Sequence, residues 1–158
     1  MKHSFKVGIS FGLTSGVITT LGLMVGLNSG THSRLAVIGG VLTIAVADAM
    51  SDALGMHLSE EAHRKKTKGD IWESTFSTFI SKLAIASSFI VPVLLLPLTS
   101  AIAVSIAWGF SLLSYLSFRI AKAKDEKPFP IIAEHIMIAA SVIVITYFIG
   151  VFVSSYFG

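Results

Sequence analysis

Five long apolar runs, separated by short polar segments, constrain this chain more than any other feature of its sequence. A helix rises 1.5 Å per residue, so about 20 apolar residues cross the roughly 30 Å of hydrocarbon in a bilayer. A soluble domain of this length does not contain several runs of that size. The runs cover approximately residues 7–27, 35–58, 76–98, 100–121 and 131–155. The sequence therefore predicts an all-α polytopic membrane protein, a single domain of residues 1–158 with five transmembrane helices.

The composition excludes several classes of function. Hydrophobic residues make up 53% of the chain and charged residues 13%, whereas about a quarter of a soluble domain is charged. The chain has no cysteine, which rules out disulfides, thiolate metal sites and thiol catalysis. We find no phosphate-binding glycine loop, nucleophile elbow or His-Glu-x-x-His helix, and we do not expect an enzyme. The net charge of +3 comes from short clusters between apolar runs, so we do not expect nucleic-acid binding either.

Lysine and arginine are distributed unequally between the two ends of the runs, and cytoplasmic loops collect positive charge. Ten of these residues fall on one side: Lys2, Lys6, Arg64, Lys65, Lys66, Lys68, Arg119, Lys122, Lys124 and Lys127. Arg34 alone falls on the other side. We therefore expect a cytoplasmic N-terminus and a C-terminus outside. The remaining cation, Lys82, falls near the predicted cytoplasmic start of the third helix, and we expect its side chain to extend to the membrane surface.

The second run contains a stripe of potential metal ligands. Asp48, Asp52 and Met56 are spaced four residues apart and therefore share a helix face. The stripe continues past the membrane edge to Glu60 and His63. Two carboxylates about 6 Å apart along a helix repel each other, and a low dielectric favours their neutral form, so proton exchange is chemically reasonable. This pattern predicts a path for a divalent metal or protons, with Asp48, Asp52 and Met56 as metal ligands.

Each of these residues also has a structural interpretation. The two aspartates could be fixed hydrogen-bonding groups between helices, Met56 could be plain packing, and His63 could be an interfacial polar group. The fifth run opens with Glu134 and His135, which point about 100° apart on a helix. One of the two could reach the polar path from its cytoplasmic end, and the alternative is an interfacial position.

The first run carries Gly8, Gly12 and Gly16 at intervals of four residues. Small residues at this spacing allow two helix backbones to approach closely. We predict a contact at these glycines with a second copy of the chain or with the second helix, and ordinary packing within one bundle fits the spacing equally well.

The sequence resembles the vacuolar iron transporter family. The segment 8–14, Gly-Ile-Ser-Phe-Gly-Leu-Thr, is similar to the family's first-helix motif Gly-x-Ser-Asp-Gly-Leu-Thr. Further similarities lie at Gly22 to Gly26, at Pro97-Leu98, in the segment 146–150, and in the second helix at Ala47, Ser51, Leu54, Gly55 and Leu58. The resemblance implies a homodimer of five-helix subunits that exchanges ferrous iron or manganese for protons along a path lined by the first two helices.

The sequence departs from the family pattern at the positions that would bind metal. Phe11 stands at the family's first-helix aspartate, Ile44 near its second-helix glutamate, and Asp52 at its second-helix methionine. The family's large cytoplasmic metal-binding insertion is reduced to residues 59–75. An acidic second helix remains, with its carboxylates at Asp48 and Asp52.

From these features we expect a divalent-cation transporter for iron or manganese, exporting metal from the cytoplasm by antiport with protons. The metal is then the substrate, and no permanently bound cofactor is expected. The expected partners are a second copy of the chain, the bilayer, metal ions and protons. The alternatives are a membrane scaffold that retains the fold without transport, and a transporter of another cationic solute. The brevity of the chain and its lack of a targeting extension lead us to expect a prokaryotic plasma membrane.

Overall fold

The computed structural model describes residues 3–63 and 65–158, so Lys2 and Arg64 of the orientation argument lie outside the described residues. The described residues form six helices. These are α1 (His3–Thr31), α2 (Arg34–Glu61), α3 (Lys68–Ser88), α4 (Ile90–Leu95), α5 (Leu98–Lys124) and α6 (Pro128–Phe157).

The short helix α4 continues the span that α3 begins. Proline at position 92 has no N–H to donate to the carbonyl of Ser88, and its ring crowds that carbonyl. The helix is accordingly interrupted at Phe89. Together α3 and α4 form one membrane-length segment, Lys68–Leu95.

Within the described residues, five helical segments are long and apolar enough to cross a membrane, which confirms the predicted architecture. Most of the observed helix ends lie beyond the predicted runs, because hydropathy alone does not locate a helix terminus, whereas the third span ends at Leu95, before the predicted residue 98. Helix α3 begins about two turns before the predicted start at residue 76. Thr67 and Asp70 form a capping box there, in which each side chain accepts from the other residue's backbone N–H at 3.2 Å.

Helix α1 lies at the centre of the bundle and contacts α2, α3, α5 and α6. Its apolar stretch is 44% buried, against 11% for that of α6, which mostly faces outward. The core around α1 includes Val17, Leu21, Met24, Val37, Val41, Phe89, Val93 and Leu113. The outward faces of the other helices carry many large apolar side chains, as lipid contact requires.

The glycines of α1 pack against α3 of the same chain. A Cβ atom added at Gly12 would lie 2.6 Å from the carbonyl oxygen of Thr78, and one at Gly16 would lie 3.2 Å from Cγ of Lys82. Gly8 meets Ser74 and Ser77 in the same way. The prediction that Gly8, Gly12 and Gly16 contact a second copy or the second helix is therefore corrected: α3 already covers this face, and packing within the bundle is what the structure shows.

Replacing Gly12 by alanine is expected to destabilise the protein by about 1–3 kcal/mol, because the new methyl group would be pressed into the α3 backbone. The measurement is the thermal unfolding midpoint of the purified protein in detergent. Gly69→Ala is the matched control, since its new Cβ would meet only the Thr67 hydroxyl, at 3.7 Å. Equal midpoints for the two variants would contradict the close packing of α1 on α3.

Candidate functional site

The centre of the candidate site is the side chain of Lys82, which is 1% exposed. Its Nζ atom lies 2.5 Å from Oδ2 of Asp48 and 2.5 Å from Oδ2 of Asp52. It also donates to the hydroxyl of Ser15 at 2.9 Å, and that hydroxyl donates to Asp52 at 2.6 Å. Three helices thus converge on one ammonium group.

The expected position of Lys82 at the membrane surface is wrong. The residue lies about 21 Å along the helix from the start of α3, at 1.5 Å per residue. Its stem packs on α1 beside Gly16. Because Gly16 has no side chain, α3 can lie close enough to α1 for the ammonium to reach Ser15 and the two aspartates of α2.

The cluster contains two carboxylates but only one ammonium group. With both carboxylates ionised, two negative charges face the single positive charge of Lys82, which leaves the site with a net charge of minus one. The aspartate side chains are 26% and 20% exposed, against 1% for Lys82. The carboxylates therefore form the accessible side of the cluster, and their charge attracts a second cation.

A groove between α1 and α2 leads to the cluster. Its volume is about 620 Å³, and Asp48 is the one charged side chain among the described residues that line it. The α2 residues that line it run from Ala36 to Asp48, so it extends from the cluster towards the start of α2. Charge distribution in the sequence predicts that this end of the helix faces outside.

A row of small residues runs along the exposed face of α2, and its first three members line one edge of the groove. Gly39, Thr43, Ala47, Ser51 and Gly55 are spaced four apart, and all five are exposed. A Cβ atom added at Gly39 or Gly55 would meet nothing within 4 Å. We call these five residues the α2 row. The α2 row has the same four-residue spacing as Gly8, Gly12 and Gly16 on α1. Helix α3 covers those glycines, whereas no described helix covers the α2 row.

The structure brings together only part of the predicted metal path. Met56 lies one turn beyond Asp52 and is half-buried. Glu60 is 8% exposed and pairs with Lys66 at 2.7 Å, and Lys66 also donates to Ser4. His63 is exposed, with its Nδ1 2.8 Å from the backbone oxygen of Ser59. Among the residues that the structure describes, no three His, Asp or Glu side chains converge as a metal-binding group.

The two polar residues of α6 lie apart from the cluster. Glu134 is exposed. His135 is half-buried, and its Nδ1 lies 2.7 Å from the hydroxyl of Ser117 on α5. This contact joins α5 to α6 and does not reach Asp48 or Asp52.

Sequence reasoning found the two aspartates and missed Lys82 and Ser15. A signal for Lys82 was present, because a lysine within a membrane span pairs with intramembrane acids more readily than it stays alone. Ser15 had no signal of its own, since its role depends on which face of α1 meets α2. No protein-family model matches the chain, and no curated protein resembles it closely enough to count as a relative.

Replacing Lys82 by methionine is expected to destabilise the protein by on the order of 3 kcal/mol, because it leaves two carboxylates without their buried counter-ion. Adding Asp52→Asn to this variant should recover part of the lost stability, since only one carboxylate is then left without a counter-ion. Chemical denaturation of the detergent-solubilised protein measures both effects. The control Lys124→Met removes an exposed lysine at the end of α5 and should change stability by about 0.5 kcal/mol or less. A Lys82→Met variant as stable as this control would contradict a structural ion cluster.

Proposed function

We propose that this protein is a transporter of divalent cations, iron or manganese, which exports them from the cytoplasm by antiport with protons through the Asp48–Asp52–Lys82 cluster. The observation that carries the proposal is the ammonium of Lys82 held between two carboxylates within the membrane. A group of oxygens that binds one cation at this depth can bind another in its place.

The ligand chemistry supports a divalent metal. Asp48, Asp52 and Ser15 place two carboxylates and one hydroxyl around a single point. Oxygen ligands suit Mn²⁺ and similar divalent ions, and two carboxylates balance a charge of two. A metal ion would enter as the Lys82 side chain moves away, so the lysine acts as an internal cation that offsets one of the two negative charges while no metal is bound.

Proton antiport follows from the same ligands. Carboxylates bind metal in their deprotonated form, so metal binding and proton binding compete. Met56, Glu60 and His63 continue the polar face of α2 towards the end that the charge bias assigns to the cytoplasm, and would receive the metal there. Within this proposal the Glu60–Lys66 pair must open before Glu60 contributes.

We further propose that the protein assembles as a homodimer through the α2 row. A row of small residues four apart crosses the helix face obliquely and suits a tight crossing of two identical helices. The row adjoins the groove that contains Asp48. A second copy seated on it would close the groove against lipid and line it with polar residues from both subunits.

An organic cation is the second candidate substrate. Apart from Asp48 and Thr43, the side chains that line the groove are apolar, and a volume of about 620 Å³ is ample for a small organic molecule. A membrane scaffold that transports nothing is the remaining alternative, and it predicts no flux of divalent metals or of organic cations.

Asp52→Asn is expected to lower metal flux by about tenfold or more, because it removes one of the two carboxylates while preserving the volume of the side chain. The fold should survive, since Asp48 still neutralises Lys82. The measurement is uptake of Mn²⁺, Fe²⁺, Co²⁺ or Zn²⁺ into proteoliposomes with an imposed pH gradient, alongside thermal stability of the same samples.

Asp125→Asn makes the same chemical change in the exposed turn after α5 and should leave flux unchanged. Full flux in Asp52→Asn would remove the cluster from the transport path. A wild-type protein that moves ethidium but none of the four metals would favour the organic cation, and one that moves neither would favour the scaffold.

The proposed dimer contact can be tested by cross-linking, because the natural chain has no cysteine. Ala47→Cys places a single thiol at the centre of the α2 row, and oxidation in membranes is expected to yield a disulfide-linked dimer. Val144→Cys is the control, since Val144 is 54% exposed on α6 and also lies near the middle of its span. Equal cross-linking at both positions, or none at Ala47, would argue against assembly through α2.

A further inference from the structure

A second polar pocket, which shares no lining residue with the cluster, lies between the first turns of α1 and the last turns of α5. Its volume is about 380 Å³, and its polar lining includes Lys6, Ser10, Tyr115 and Arg119. Both basic residues come from the end of the bundle that the charge bias assigns to the cytoplasm. None of these side chains belongs to the Asp48–Asp52–Lys82 cluster.

The arginine of this pocket is held in place by its own helix. Arg119 donates from Nη1 to the hydroxyl of Tyr115 at 2.8 Å, and its guanidinium carbon lies 5.8 Å from the centre of the Tyr115 ring. Among the described residues, neither Arg119 nor Lys6 forms an ion pair with a carboxylate. The remaining guanidinium N–H groups are therefore free to bind an anion in the pocket.

The charge in this pocket has one sign. Among the described residues, two cations line it and no acidic residue does. The nearest acids in sequence, Asp125 and Glu126, are exposed and follow the end of α5. A pocket of this kind favours a group with net negative charge, and Arg offers the paired N–H donors that match phosphate oxygens.

The rest of the lining is apolar. Ile9 from α1 and Leu116 and Ile120 from α5 form a floor that continues into the membrane-spanning part of both helices. A free phosphate ion would leave this surface unused. A phospholipid would use both parts, with its phosphate at the two cations and an acyl chain along the floor.

We propose that this pocket is a binding site for an anionic phospholipid of the membrane leaflet that faces the α1 N-terminus. Basic pockets between transmembrane helices recognise anionic headgroups, and each Lys or Arg near the membrane surface contributes about a fivefold gain in binding. A zwitterionic lipid binds less well, because the lining offers no carboxylate to its ammonium group.

The test measures binding of dioleoyl-phosphatidylglycerol and dioleoyl-phosphatidylcholine to the purified full-length protein in detergent by native mass spectrometry. The expected result for wild type is a clear preference for phosphatidylglycerol. The double variant Lys6→Gln, Arg119→Gln should lose about 25-fold in phosphatidylglycerol affinity, from two cations at about fivefold each. Its phosphatidylcholine binding should change little.

The matched control is Lys124→Gln, Lys127→Gln, which removes the same charge from exposed positions at the same end of the bundle. This control should stay within about twofold of wild type. Equal losses in both double variants would show a general effect of net charge and overturn the site. Displacement of the lipid by millimolar inorganic phosphate would assign the pocket to a free anion instead, and equal affinity for the two lipids would also reject the proposal. A circular-dichroism melt of each variant confirms that folded proteins are compared.

Discussion

Burial of one ammonium group in the membrane is the constraint on which the arrangement of α1, α2 and α3 depends. A lysine at this depth is strongly unfavourable unless counter-charges and hydrogen-bond acceptors surround it. Asp48, Asp52 and Ser15 supply them, from two other helices and from at least 30 residues earlier in the sequence. The register of α3 against both neighbours is thereby specified, since sliding it by one turn would separate the ammonium from the carboxylates by about 5 Å.

The glycines of α1 make this register possible. Lipid provides no hydrophobic drive for helices to associate, so close van der Waals packing and hydrogen bonds must hold the bundle together. Gly8, Gly12 and Gly16 let the hydroxyl-rich face of α3 lie directly on α1, and Thr78 donates to the carbonyl of Gly8 at 3.3 Å. The same contact keeps the Lys82 stem away from lipid. Tight packing and the polar cluster are therefore two parts of one interface.

The fold was predictable from the sequence because span length and hydropathy are properties of each segment alone. The pairing of Asp48 with Asp52 was predictable for the same reason, since the i,i+4 spacing operates within one helix. The position of Lys82 was predicted wrongly because the first turns of α3, from Lys68 onward, are polar and were not counted as part of the apolar run. The predicted helix therefore began too close to Lys82. The role of the α1 glycines could not be predicted, because identical spacings occur on α1 and α2 and only tertiary packing decides which row is covered.

The interruption of the third span at Phe89 bears on how Lys82 could leave its partners. Proline 92 has already removed one backbone hydrogen bond there, so bending the span at this point breaks little additional structure. Lys82 lies about 10 Å from Phe89 along the helix, and a bend of about 15° at such a hinge would move it by roughly 3 Å. A displacement of that size would move the ammonium beyond hydrogen-bond distance of the two aspartates. The interruption at Phe89 therefore gives the span that carries Lys82 a point at which it can bend.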